Sequence, residues 1–201
     1  MSIFNFELVN ISGSESLPQK KYINLRKGVI EKLLQDLDSA ENATNFLILS
    51  SKLIEIKLKE ILPKVFVQDK FVMAYAVSPL IESQGALSTT SNISKLLFAM
   101  GKISIETYAD IDLYEQMKEF ILLSNENISF DHDVIYDFVT HQSTISKEQD
   151  GYYLDSINKL KFSSFESFSQ MRYESLIRIV LKLSCEMLLE NIDKQALSRE
   201  A

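Results

Sequence analysis

Only five glycines and three prolines punctuate the 201 residues of this chain. Average usage would supply roughly 24. An all-β fold needs a turn every few residues, so the scarcity argues against one and favours long uninterrupted helices. Hydrophobic residues make up 46% and charged residues 24%, which is ordinary for a globular protein and excludes wholesale disorder. The length suits one domain with a sizeable core.

Apolar residues recur at helical spacing along most of the sequence. Residues 1–20 mix Ser, Asn, Gly13 and Pro18 and read as an irregular leader; 21–196 read as a helical domain and 197–201 as a tail. Leu25, Val29, Leu33 and Leu37, widened by Ile30 and Leu34, mark a first helix from Tyr22. Asp38 and Ser39 can stop it and cap a second helix, 40–62. There Phe46, Leu47, Leu53, Ile54, Leu58 and Ile61 cover more than one face, as in a central buried helix. Pro63 is expected to end it. Asp69 caps a short third helix through Phe71, Ala74, Tyr75 and Val77, which Pro79 kinks or ends. After a loop at 83–88, Thr90 or Ser91 caps a fourth helix, and Gly101 stands where a left-handed C-terminal residue is needed. Ser104 opens a fifth helix, carrying Tyr108, Ile111, Met117, Phe120 and Ile121 to about Ser124. Asp131 caps a sixth to about His141, with Val134, Ile135, Phe138 and Val139 inward.

Residues 142–150 read as a polar loop, Asp150-Gly151 as a turn, and 153–160 as a short helix. Ser163 or Ser164 then caps a final helix, 165–195, about 45 Å long. Its apolar stripe includes Met171, Leu176, Ile179, Val180, Leu183, Leu188 and Ile192, with Phe165 and Phe168 at its start. The predicted class is all-α: a single-domain multi-helical array of about seven or eight helices with a long C-terminal helix.

The first residues have neither the basic start nor the apolar run of a secretory signal, and no stretch approaches the ~20 apolar residues that span a bilayer. Cys185 is the single cysteine, so it reads as a small apolar helix residue rather than a disulfide or zinc partner. The expected location is cytoplasmic.

The formal net charge is −7, from 28 acidic and 21 basic residues. It is unevenly spread. Residues 20–32 hold five basic residues and one acid, whereas 106–137 hold nine acids against Lys118. An acidic face repels a phosphate backbone, and a helix that reads DNA directly is expected to be rich in arginine. The chain has only Arg26, Arg172, Arg178 and Arg199. Direct DNA binding and binding to anionic membrane are therefore disfavoured.

No G-x-x-x-x-G-K-[ST], G-x-G-x-x-G or G-x-S-x-G pattern occurs, so neither a phosphate-cradling loop nor a nucleophile elbow is signalled, and no cofactor is expected. Three weaker constellations remain. Asp133, Asp137 and His141, at i, i+4 and i+8, lie near one face of the sixth helix beside Asp131 and His132. Two carboxylates and an imidazole can bind a divalent metal, or the row can be a solvated face. A serine paired with His132 or His141 has no sequence support. Arg172 falls beside the apolar stripe of the last helix, and a buried guanidinium must be paired or bind an anion. Asp110 is one partner for it; an interhelical anion site with Lys95, Tyr75 or Tyr108 is another; a stem lying on apolar surface with its head in water is a third.

Residues 74–111 carry a more specific signal. Ala74-Tyr75-Ala76-Val77-Ser78-Pro79-Leu80, then Gly85-Ala86-Leu87, then Lys95-Leu96-Leu97-Phe98-Ala99-Met100-Gly101-Lys102-Ile103, then Tyr108-Ala109-Asp110-Ile111 resemble the mannitol operon repressor family in order and spacing. Phe46-Leu47, 63–66 and Met171-Arg172-Tyr173 extend the resemblance to about residues 22–195. Ala86 stands where that family usually has proline, and Phe98 where it has tyrosine. The resemblance is closer to the family's paralogues described as regulators. It implies a multi-helical fold and repression of carbohydrate-metabolism genes, with no catalytic residues to carry over. Combined with the acidic charge, it implies action through a protein partner from the transcription or sugar-transport machinery, with a homodimer through the long last helix as one arrangement. The rival expectation is a protein or enzyme that binds a small anion, a sugar phosphate or dicarboxylate, at an Arg172-lined pocket, with His132 or His141 as acid/base.

Overall fold

The computed structural model describes residues 17–66, 69–82, 84–124, 126–146, 151–162 and 166–197. The leader to residue 16, Asp150, Ser163, Ser164, Phe165 and the last four residues lie outside them, and the side chains of 17–27 and 166–169 are not described. Every regular element among the described residues is helical: α1 (Leu17–Asp38), α2 (Ala43–Val65), α3 (70–81), α4 (Thr90–Ala99), α5 (Ile105–Ser124), α6 (Asp133–His141), α7 (Ser143–Ser146), α8 (Tyr152–Lys161) and α9 (Glu166–Leu197).

The centre is α2. All six of its expected apolar positions are buried, together with Ala43, Ser50, Ser51 and Leu62. It is packed by α1, α4, α5 and α9, so each of these helices needs only one apolar face to complete the core. Its start is held by a distant loop. The N–H groups of Ala43 and Thr44 bond the Ile128 carbonyl at 3.0 and 3.3 Å, and the Thr44 hydroxyl accepts the Ile128 N–H at 2.8 Å. Phe130 meets Phe46 edge-on with 6.2 Å between ring centroids. Arg178 of α9 lies over the Phe130 ring and donates to the Ala40 carbonyl at 2.6 Å. One corner thus ties the start of α2, the 126–130 loop and α9 together.

Several boundaries differ from the sequence reading. Helix α1 begins at Leu17, inside the expected leader, because Pro18 fits a first turn whose N–H groups have no helical partner. The Ser39 hydroxyl turns back to the carbonyls of Gln35 and Asp36, and Asn42 caps α2 by accepting the Asn45 N–H at 2.8 Å. Pro63 does not stop α2, which continues to Val65. Leu62, just before the proline, is fully buried, and that burial outweighs the steric preference for a break. Thr89 and His132 cap α4 and α6 in place of Thr90 or Ser91 and Asp131, whereas Ser104 caps α5 as expected. Four residues expected as loop form α7.

Around Pro79 the helical ladder widens. Met73–Val77 form one π-helical turn, closed by the Ser78 N–H on the Met73 carbonyl, and the chain then passes Pro79 without breaking. It reverses immediately afterwards. Leu87 N–H bonds the Leu80 carbonyl at 2.7 Å, and a Cβ on Gly85 would stand 2.2 Å from that same oxygen, so only glycine fits. Gly101 ends α4 with φ +67°, as expected.

The inward face of α9 is rotated from the predicted stripe. Tyr173, Ile177, Val180, Leu181, Cys185, Leu188 and Ile192 are buried, whereas Met171 is 71% and Ile179 58% exposed. Apolar residues lie almost all round this helix, so periodicity alone fixed its existence but not its facing.

Truncating the centre should cost most. Leu58→Ala is expected to lower stability by about 2–5 kcal/mol, read from the urea midpoint, because little around α2 can collapse into the space. Leu123→Ala on exposed α5 surface should stay within about 0.5 kcal/mol.

Candidate functional site

The four residues considered for an anion pocket are not gathered into one. Asp110 on α5 is buried, and its carboxylate accepts the Ser143 N–H at 2.7 Å, the Thr144 N–H at 2.9 Å and the Thr144 hydroxyl. It holds the start of α7 rather than serving an arginine. Tyr75 is 74% exposed and stacks on Phe71 at 5.0 Å, and Lys95 is exposed on α4. Arg172 is exposed rather than buried, because the stripe of α9 is rotated away from it. The hollow beside it, about 380 Å³, has Met171, Arg172, Ser175, Leu176 and Ile179 as its described lining. Tyr75, Lys95 and Asp110 are not among them.

The acidic row on α6 is likewise split among separate partners. Asp133 is ion-paired with Lys161 of α8 at 2.8 Å, and that ammonium holds its carboxyl below the usual range. The same ammonium sits 3.6 Å from the centre of the Tyr136 ring. His141 directs Nδ1 at the backbone carbonyl of Asp137, 2.7 Å away. His132 spends its Nδ1 on the Val134 N–H as the helix cap, and Asp131 accepts from Ser129 and from Gln170. Among the described residues no group of three or more His, Cys, Asp or Glu side chains is placed to hold a metal ion. The i, i+4, i+8 spacing put the three on one face, but a shared ligand needs convergence that a straight helix face does not supply.

No motif in the sequence marks the buried polar layer that lies between α2, α5, α9 and the start of α7. Ser51 donates to the Tyr114 carbonyl at 3.4 Å, Ser184 donates to the Gln142 side-chain carbonyl, and Cys185 is enclosed beside Ser50. Burial pushes the Tyr114 phenol well above its usual value and the Cys185 thiol from 9.0 up to about 12. The Tyr114 hydroxyl and the Gln142 amide nitrogen are buried without a hydrogen-bond partner among the described residues. This layer fixes how helices meet; it exposes no reactive group to solvent.

The surface that stands out lies between α5 and α6. A groove of about 300 Å³ is lined by Leu113, Gln116, Met117, Phe120, Val134, Asp137, Phe138 and His141. Phe120 is half exposed and Leu123, one turn beyond it, is 86% exposed. Asp137, within the acidic stretch, lines this groove. The only lysine of that stretch, Lys118, is paired with Glu115 at 2.6 Å.

The model of the family described as Mannitol repressor matches residues 29–193. Fumarase E of Escherichia coli (strain K12) is 26% identical over 163 residues, 81% of this chain and 95% of that protein. The mannitol operon repressor of the same strain is 27% identical over 104 residues, 52% of this chain and 53% of that protein. The X-ray structure of the MtlR-HPr complex from Escherichia coli superposes with a TM-score of 0.67 at 22% identity, covering 82% of this chain and 98% of that one. At that identity the superposition establishes the fold.

Three outcomes follow for these buried groups. Asp110→Ala should cost about 2–3 kcal/mol in denaturant unfolding, since it orphans amide donors at the start of α7. The folded chain also keeps the Cys185 proton that the unfolded chain loses, so stability should fall as pH rises from about 9 towards 12. At pH about 8 the native thiol should resist a disulfide reagent and react quickly once the chain is unfolded.

Proposed function

The chain belongs to the mannitol repressor family, and we propose that it regulates carbohydrate-metabolism genes by binding a protein partner rather than by reading DNA. The observation that carries this reading is the family match across 29–193, nearly the whole helical array. Three further observations support it. The net charge of −7 opposes a phosphate backbone. The carboxylates of 106–137 lie on α5, α6 and the segment between them, and one of them, Asp137, lines a largely apolar groove. A structural neighbour was solved as a complex with the protein HPr, so the fold is one that engages a protein of the sugar-transport machinery. The site of action is the cytoplasm; no helix among the described residues is long and apolar enough to cross a membrane. A second copy bound along α9 fits the exposed Met171 and Ile179.

A second reading rests on the Fumarase E relatives, which match over most of both chains. Fumarate is a dicarboxylate, and Arg172 is the cation placed beside a hollow. That reading needs a second anchoring group, and the described lining supplies only Ser175. It also predicts loss of fumarate absorbance with the purified chain and its abolition in Arg172→Gln.

Titration of the purified chain with purified HPr, followed by calorimetry, tests the main reading beside a gel-shift series on promoter DNA of carbohydrate-transport genes. Saturable HPr binding with no DNA retardation is the expected result. A tight DNA footprint by the chain alone, or fumarate turnover that needs Arg172, would overturn it.

A further inference from the structure

We propose that the groove between α5 and α6 docks a basic amphipathic helix of a partner protein. The inference rests on the reading that this chain works through protein contacts, and it assigns the surface and the chemistry of what binds there. The groove floor is apolar: Leu113, Met117 and Phe120 from α5 face Val134 and Phe138 from α6. Leu123, one turn beyond Phe120 and almost wholly exposed, adds an apolar side chain at the end of the α5 row that holds Gln116 and Glu119. An apolar floor along a concave surface, with Phe120 and Leu123 exposed beside it, matches the binding mode in which an amphipathic helix lays its apolar face into a groove.

The rim states the charge of the occupant. On the α5 side, Asp112, Gln116 and Glu119 follow one another at i, i+4 and i+7 and so border one edge. Asp112 accepts a hydrogen bond at 2.7 Å from Gln116, which lines the groove. On the α6 side, Asp137 lines the groove itself and is exposed. Asp112, Glu119 and Asp137 form no ion pair with a cation among the described residues. By contrast, Glu115 and Asp133, off the groove, are each neutralised, by Lys118 and Lys161. Asp112, Glu119 and Asp137 thus leave uncompensated negative charge beside the apolar floor. A helix with leucine-like residues on one face and lysine or arginine on its flanks satisfies both. An acidic or neutral helix satisfies only the floor, and a nucleic acid neither.

The test uses a fluorescent peptide helix of leucine and lysine, with leucines at i, i+3, i+4 and i+7, and a counterpart with glutamate in place of lysine. Anisotropy titrations should show the cationic peptide bound by the wild-type chain, more weakly as salt is raised, and the anionic one not bound. Leu123→Glu and Asp137→Lys should each weaken binding by at least about tenfold, as expected for groups central to a small interface. Both positions are exposed, and an unchanged circular-dichroism melt confirms that the fold is kept. Phe71→Glu, an exposed apolar residue on α3, should bind as wild type does.

Equal binding by Leu123→Glu, or equal binding of the two peptides, would overturn the proposal. So would a wild-type chain that self-associates and becomes monomeric in Leu123→Glu, since a second copy would then cover the groove. If Leu123→Glu loses neither the peptide nor HPr, the groove assignment fails while the partner reading stands. If the wild-type chain binds the peptide through this groove but not HPr, HPr fails as the partner and the groove assignment stands.

Discussion

The burial of α2 is the constraint on which the rest of the structure depends. A helix surrounded on four sides leaves its neighbours one apolar face each, and their other faces are then available to solvent and to partners. The chain meets the polar requirements of this arrangement with local devices. Asp110 closes the start of α7, Thr44 and the Ile128 carbonyl close the start of α2, and Arg178 joins α9 to that same corner. Backbone groups at buried helix ends that would otherwise lack partners are satisfied in this way, which keeps a core built of short and long helices in one register.

Much of this was legible in the sequence. The scarcity of glycine and proline, together with helical spacing, was enough for the class. The ends of α5 and α6 fall at Ser124 and His141 as read, and Gly101 has its left-handed conformation. What the sequence did not reveal has physical causes. Pro63 follows a leucine whose burial is worth more than the strain. Alpha-helical spacing gave α9 no unique facing, because its apolar residues encircle it, so Met171 and Ile179 turned outward and Arg172 with them. The i, i+4, i+8 row on α6 placed side chains on one face but said nothing about Lys161, which comes from another helix and claims Asp133.

The same contrast holds for the candidate site. Nine carboxylates against one lysine could be counted directly from 106–137. The count could not show which of them lysines neutralise and which flank exposed leucine and phenylalanine. That distinction comes from the Lys118–Glu115 pair within α5, from Lys161 on α8 and from the packing that leaves Phe120 and Leu123 exposed. It turns a general acidity, which only counts against nucleic acid, into a surface with a defined complement. Family membership supplies the biological direction, and the groove is the physical route proposed for it.

The most direct test of this account compares transcripts from cells that lack the chain and are complemented with the wild-type or the Leu123→Glu form at equal protein level. If regulation runs through the acidic, apolar groove, the Leu123→Glu profile should match that of cells with no complementing copy. A profile that matches the wild type would contradict the account.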